Sequence, residues 1–437
     1  MKEEARNQML PLGAVLVISM ALFSGHFGVG DVLFPPILGR NSGQSWFVAG
    51  LGYGIVNSLG VLIAYLAVAQ RQQTLLEMSS NTLGKRYGVI FTSICMLIIG
   101  PVFILPRVAS ATHEMSIEPF FPAVPLFATL LIYFVLNAYV AYNRTQVVDR
   151  IGKVFSPVLI AFMFILIIKG VLAPISKVSD YSSDSPLIEG ILEGYNTMNA
   201  MGASLFGGWI LKELSMRGIG DKSEQANNLK IIGPIVALAL LATSTGITYI
   251  GATTGGFFPD AEIGVLTMDI AEYLLGYIGK AIFAIILAFA CFTTSVGLTS
   301  TAGDVFQEIS EGKLKYKTIV ILSSTVGFLI GLIGLSKIVG YTTPWLMLVY
   351  PALLILLVGS LYPKFNNIKK ATSITIITAM VFSIGYFLDG LGFENNMLSM
   401  QVSKLPFGTQ GLGWLLPSII VFIVVQLFSK EKCKENA

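Results

Sequence analysis

Apolar runs of about twenty residues recur from one end of this chain to the other, separated by short polar breaks. That length lets an α-helix cross the ~30 Å hydrocarbon core of a bilayer. The runs are too long and too apolar for buried strands, and helices satisfy every backbone N–H and C=O group inside lipid. The expected fold class is therefore an all-α polytopic membrane protein. Setting apolar runs against polar breaks predicts twelve transmembrane helices, at 11–38, 46–70, 89–112, 122–141, 151–173, 191–211, 230–252, 278–302, 317–336, 341–361, 371–388 and 411–428. Composition agrees: 54% of the 437 residues are hydrophobic and 12% charged, about half the charged fraction of a soluble domain. This excludes a cytosolic enzyme, a disordered chain and a nucleic-acid binder. The net charge of +3 is too even for a polyanionic partner. Cys95, Cys291 and Cys433 give no disulfide framework. The first run, from Leu10 to Leu38, is longer than a signal-peptide core and lacks a small-residue cleavage site, so no cleavable leader is expected.

Basic residues set the expected orientation. With the N-terminus in the cytoplasm, 21 of the 28 Lys and Arg residues fall in cytoplasmic segments, 4 outside (Arg40, Lys177, Lys337, Lys404) and 3 in or at the ends of spans (Arg107, Lys169, Lys280). Each inner loop is richer in Lys and Arg than its outer neighbours, and an odd number of spans would scramble that alternation. Both termini are thus expected inside. The cytoplasmic set includes Lys2, Arg6, Lys85, Arg144, Lys313, Lys369 and Lys434. The longest outer segments, 253–277 and 389–410, are acidic and rich in Gly and Pro, and the first has room for a short helix capping an entrance. No loop is long enough to be a domain, so 1–437 reads as one membrane domain.

Two spans carry mid-membrane interruptions. The first reads Ser24-Gly25-His26-Phe27-Gly28-Val29-Gly30-Asp31, and the sixth opens Glu193-Gly194-Tyr195-Asn196-Thr197-Met198-Asn199. Glycine in a helix costs about 1 kcal/mol relative to Ala, and a charge at mid-bilayer about 2.5–3.5 kcal/mol on insertion scales. Both penalties recur five spans apart. This is the pattern of a five-plus-five inverted repeat in which helices 1 and 6 are unwound at the membrane midplane. Repeat one would cover about 11–173 and repeat two about 191–361, with two additional helices at 371–428. Freed N–H groups at a half-helix start suit a carboxylate, and freed C=O groups suit a cation or ammonium. A zwitterionic amino acid beside a small cation fits such a site. The alternative is that the glycines only permit close helix packing.

Several stretches resemble one family. Gly28-Val29-Gly30-Asp31-Val32-Leu33-Phe34-Pro35-Pro36-Ile37-Leu38-Gly39 resembles the first-helix motif of the branched-chain amino acid:cation symporters (BrnQ or LIVCS type). Gly100-Pro101-Val102-Phe103-Ile104-Leu105-Pro106-Arg107 resembles their third-helix motif. Ile151-Gly152-Lys153, Gly194-Tyr195-Asn196-Thr197-Met198 and Thr293-Thr294-Ser295-Val296-Gly297-Leu298 match further positions, in order, over about residues 10–430. The resemblance implies a LeuT-like fold and import of leucine, isoleucine and valine with Na⁺ or H⁺, in a bacterial cell membrane. The family usually carries Asn where this chain has Asp31, and Asp where it has Asn199.

The resemblance also implies a site. Ala290, Thr293 and Thr294 share a helix face and are similar to a sodium site completed by carbonyls near Ser24 and Phe27. Thr293 and Thr294 equally suit bonds to their own helix. Asp31 resembles a second sodium position, with Thr197 and Asn199 beside it. A carboxylate there suits Na⁺, a proton, or a structural bond to Arg107 or His26. For the substrate, the amides of Gly28, Val29 and Gly30 suit a carboxylate, and carbonyls near Tyr195, Asn196 and Met198 suit an ammonium. Phe103, Met198, Met201 and Phe206 suit an apolar side chain, or ordinary packing. Arg107 and Glu114, costly in lipid, suit a gating or supporting role facing the interior; Glu114 equally suits the outer interface, the favoured place for it and for its neighbour His113. Among competing classes, no triad or HExxH pattern marks an enzyme, no repeated filter motif marks a channel, and no Gly-x-x-x-x-Gly-Lys-Ser/Thr loop marks ATP coupling. The expected coupling ion is Na⁺, or H⁺, with no organic cofactor. The expected partners are a small-molecule amino acid and the lipid bilayer, with neither nucleic acid nor an ATPase subunit.

Overall fold

The computed structural model describes residues 9–143, 147–362, 364–393 and 396–435. Lys2, Arg6 and Arg144 of the charge argument lie outside them. In chain order the helices are α1 Leu12–His26, α2 Val29–Ser42, α3 Trp46–Arg71, α4 Leu75–Leu83, α5 Lys85–Ile117, α6 Leu126–Tyr142, α7 Val147–Leu172, α8 Pro186–Tyr195 and α9 Asn199–Leu205. There follow α10 Gly207–Met216, α11 Lys222–Ala252, α12 Ile263–Ile309, α13 Tyr316–Gly331, α14 Leu335–Ser360, α15 Lys369–Gly390, α16 Met397–Val402 and α17 Leu415–Glu435. Among the described residues there is no strand beyond a single bridge between Gly43 and Ser182.

Six of these helices are long and apolar enough to cross a bilayer, and the α1–α2 pair, bent by 68°, adds a seventh candidate. Shorter apolar helices lie at Leu126–Tyr142, Pro157–Leu172, Tyr316–Gly331 and Leu415–Phe428. Helix α6 shows why these stretches are helical and where they sit. Leu130, Tyr133, Phe134, Asn137 and Ala141 recur at helical spacing and are buried, while Leu131, Ile132, Val135, Leu136 and Tyr139 are exposed. Its outer face is as apolar as its inner one, which water does not support and lipid does. The polar Asn137 points inward, donating to Thr299 of α12 at 2.9 Å and Ser324 of α13 at 3.1 Å.

Three predicted boundaries need correction. The stretch after the second span, expected as loop, forms α4, because Thr74 and Glu77 make a reciprocal capping box. The third span, expected as continuous, is interrupted within α5: Gly100 leaves helical geometry, Pro101 lacks an N–H, and a widened turn covers Ile98–Val102. The eighth span, expected from 278, begins at Ile263 and bends at Gly276, whose φ of +72° suits glycine. The segment 253–277, expected outside, thus holds a helical stretch continuous with the span.

Polar contacts sort the connections into two ends of the bundle. At one end Arg40 donates to the carbonyls of Phe258 and Ala261 at 3.0 and 2.8 Å, Gln44 to Asp180 at 3.2 Å, Ser176 to the Thr253 carbonyl at 2.7 Å, and Gln410 to Ser185 at 2.7 Å. At the other, Arg71 caps the end of α14 through the Ser360 and Tyr362 carbonyls at 2.8 and 2.5 Å, and Lys85 pairs with Glu311 at 3.1 Å. Helix α8 packs along α3. Gly190 lies so close to the Ala49 carbonyl and the Tyr53 amide that a Cβ has no room.

Candidate substrate and ion site

Helix α1 ends at His26 and α2 starts at Val29. Between them Phe27 (ψ 85°) and Gly28 (φ −111°, ψ −168°) leave helical geometry. Helix α8 ends at Tyr195 and α9 starts at Asn199, with Met198 left-handed at φ 58°. Thr197 closes that turn by donating its hydroxyl to the Gly194 carbonyl at 2.8 Å. The two breaks face each other across a small cavity of about 50 Å³.

Asp31, 2% exposed, sits at the junction. One carboxylate oxygen accepts from the Gly28 amide at 3.2 Å, capping the start of α2. The other accepts from the Asn57 amide at 2.7 Å. Asn199 donates to both oxygens, at 3.4 and 3.1 Å, and to the Asn57 carbonyl oxygen at 2.7 Å. Every hydrogen bond Asp31 makes among the described residues is to a neutral donor. A buried carboxylate so held is an anionic centre ready for a counter-charge, whether metal ion, ammonium or proton.

The cavity lining brings together Gly28, Val29, Gly30, Asp31, Thr197, Met198, Asn199, Phe206 and Thr294 of the residues expected from sequence. His26 and Arg107, expected beside Asp31, line it too, and the rest stand outside it. Thr293 donates to the Ala290 carbonyl at 3.0 Å, the self-bonded alternative. Phe27 stacks on Phe23 at 5.2 Å, and Ser24 lies within α1. Phe103 accepts the Arg107 amide at 3.0 Å through its carbonyl. Tyr195 stacks on Tyr350 at 4.6 Å, and Met201 is fully buried in the apolar core. The Asn196 carbonyl, expected to face an ammonium, accepts from Arg107 Nη1 at 2.7 Å.

Residues that sequence reasoning missed also line the site or support it. Asn57, fully buried on α3, is the hub between Asp31 and Asn199. Its signal was a lone amide in the middle of an apolar span. Tyr65 hydrogen-bonds His26 at 2.5 Å. Gly202, Ile99, Ile104 and Leu298 line the cavity, and nothing local to them marks that role. Glu114 and His113 are more enclosed than the expected interface: Glu114 accepts from the Leu335 amide at 3.0 Å and His113 bonds Thr129 at 2.9 Å.

In solved structures, the chain is similar to Mhp1, a nucleobase-cation-symport-1 family transporter in a closed conformation with bromovinylhydantoin bound. The match has a TM-score of 0.65 at 11% identity, over 97% of this chain and 93% of that one. A manganese transporter of Eremococcus coleocola matches with a TM-score of 0.53 at 13% identity, covering 97% of each chain. At these identities the likeness shows the fold, a LeuT-like transporter fold. In sequence, the chain is 30% identical to the branched-chain amino acid transport system 2 carrier protein of Pseudomonas aeruginosa over 94% of both chains. It is 29% identical to the branched-chain amino acid permease BraB of Bacillus subtilis over 95% of both. The family model described as branched-chain amino acid transport protein matches residues 13–432. With motifs, fold and relatives in agreement over nearly its whole length, this chain belongs to the branched-chain amino acid transport protein family, whose named members here are carriers and permeases rather than enzymes.

Proposed function

We propose that this protein is a secondary active transporter of the cell membrane that imports leucine, isoleucine and valine with Na⁺ by alternating access. The observation that carries this reading is the Asp31–Asn57–Asn199 cluster at the meeting of two helix breaks. It offers a negative centre beside amides freed at the start of α2. Twelve crossings follow if the seven long candidates and four shorter apolar helices are joined by α8–α10 as a broken sixth span. The two sets of end contacts support this alternation, and the charge pattern supports termini inside. Repeat one then covers about 11–173 and repeat two about 191–361, with α15 and α17 as the additional pair. On this reading Asp31, Thr197, Asn199 and Thr294 of the cavity lining serve the ion, and Gly28, Val29, Gly30, Met198 and Phe206 serve the substrate. Ser24, Phe27, Ala290, Thr293, Phe103, Tyr195, Asn196 and Met201, expected from sequence, stand outside that lining. An uncharged pocket separates the three branched side chains poorly, since one methylene is worth only about 1–3 kcal/mol.

The second reading, proton coupling, draws on the neutral-donor shell of Asp31, which suits a carboxyl that gains and loses a proton. Proteoliposome uptake of radiolabelled leucine separates the two. Uptake that needs a Na⁺ gradient at clamped pH supports sodium coupling. Uptake driven by a pH gradient alone, and lost in Asp31→Asn, makes Asp31 the proton carrier. Folded protein that takes up no leucine under either gradient overturns the branched-chain assignment.

A further inference from the structure

Arg107 is 2% exposed and lies in the membrane-spanning part of α5, at a position the ion site does not use. Its guanidinium is only partly engaged. Nη1 donates to the Asn196 carbonyl at 2.7 Å, and the group lies over the Phe34 ring at 5.3 Å. Nε is buried with no partner, and Nη2 makes no hydrogen bond among the described residues. The unengaged edge, Nε with Nη2, is the side of the fork that takes a carboxylate by two parallel bonds.

That edge lies at the first turn of α2. Nη2 is 3.3 Å from where a Cβ on Gly30 would stand. Arg107 lines the same cavity as Gly28, Val29 and Gly30. The Gly28 amide is already taken by Asp31, whereas the amides of Val29 and Gly30 have no partner among the described residues. A helix start with two open N–H groups attracts an anion, and a buried cation aimed at it does so more strongly.

We propose that the Arg107 guanidinium, with the Val29 and Gly30 amides, is the seat of the substrate's carboxylate. The assignment rests on the amino acid transporter reading and deepens it. Arg107 and Asp31 both line the cavity and keep separate hydrogen-bonding shells. The other carboxylate near Arg107, Glu193, reaches the Asn196 side chain at 3.4 Å. A zwitterion laid between the two shells meets a cation at its carboxylate end and an anion at its ammonium end. Asn196 becomes a positioning residue, holding Nη1 so that the free edge faces α2. Glycine at position 30 keeps that edge clear.

The test uses purified full-length protein in detergent with NaCl. Thermal-unfolding midpoints are titrated with L-leucine, L-leucinamide and acid/amide pairs of other neutral amino acids. In wild type the acid is expected to bind roughly 100-fold more tightly than its amide, because the amide cannot offer two acceptors. Arg107→Gln is expected to weaken the acid about 10–100-fold and leave the amide unchanged, collapsing the ratio. Arg107→Lys keeps the charge without the fork and falls between. Should Arg107→Gln not fold, Gly30→Ala places a methyl against Nη2 and shifts the ratio in the same direction. A ratio in the variants equal to wild type overturns the seat and leaves the transporter reading intact. If leucine fails to stabilise wild type but another acid does so with the same Arg107 dependence, the branched-chain reading falls and the seat stands. If no acid outcompetes its amide in wild type, the seat falls.

Discussion

The resemblance drawn from sequence implies that Asp31 and Asn199 stand where the family usually has Asn and Asp, and in the folded protein these two residues touch, at 3.1 Å. The departures are therefore one rearrangement: a carboxylate and an amide exchanged across a single hydrogen bond, with the charge kept in the same cluster. The double variant Asp31→Asn/Asn199→Asp is expected to transport leucine better than Asp31→Asn alone, which proteoliposome uptake under a fixed gradient measures. Asn57 serves both partners, so Asn57→Leu removes a 2.7 Å donor from a buried charge. Hydrogen bonds to charged groups are worth about 1.5–3 kcal/mol. The coupling-ion concentration for half-maximal uptake is expected to rise about 10–100-fold, and an unchanged ion requirement would contradict a role for this cluster. Asp31 was legible in sequence because a carboxylate inside an apolar run is expensive and adjoins glycines. Asn57 was passed over because one amide carries a weaker penalty, and its partners lie 26 and 142 residues away.

At the scale of elements, the sequence signals were strongest where length and hydropathy alone decide, and the long apolar helices fall where the runs predicted. They were weakest where a helix is broken or extended by local geometry. The interruption at Gly100-Pro101 lies inside one of the most apolar stretches, so no polar break announced it. Helix α4 was hidden because its helical signal is a cap between Thr74 and Glu77 rather than a long apolar run. The broken helices also depend on close packing for their placement. Helix α8 is too short to span and is held by its contact with α3, where Gly190 approaches the Ala49 carbonyl. Gly190→Leu is expected to force these helices apart and lower stability by about 1–3 kcal/mol, the range for overpacked sites. A fall in the midpoint of thermal unfolding in detergent checks it. Gly218→Ala, in an open turn with a positive φ, offers a comparison in which strain rather than collision is the cost.

For the whole molecule, alternating access requires the two ends of the bundle to open in turn. At one end, the turn between α2 and α3 is tied to the segment before α8 through Gln44–Asp180 and Ser45–Ser182. A Gln44→Cys/Asp180→Cys pair, with Cys433 replaced by Ser, is expected to block uptake when oxidised and to recover it on reduction. The native Cys95 and Cys291 are buried and do not compete. Uptake unaffected by the crosslink would show that this end need not separate.

The cavity between the two breaks, at about 50 Å³, has room for a few waters and lies far below the roughly 300–1,000 Å³ of a pocket that takes a small molecule. A leucine therefore requires the helices to part before its contacts can form. The measured dissociation constant is then the intrinsic one divided by the fraction of molecules already parted. Substitutions remote from the ligand, at the end-to-end ties of the bundle, become affinity variants by changing that fraction. A substrate and an ion that both favour the parted form would also help each other bind, with no atom of one touching the other.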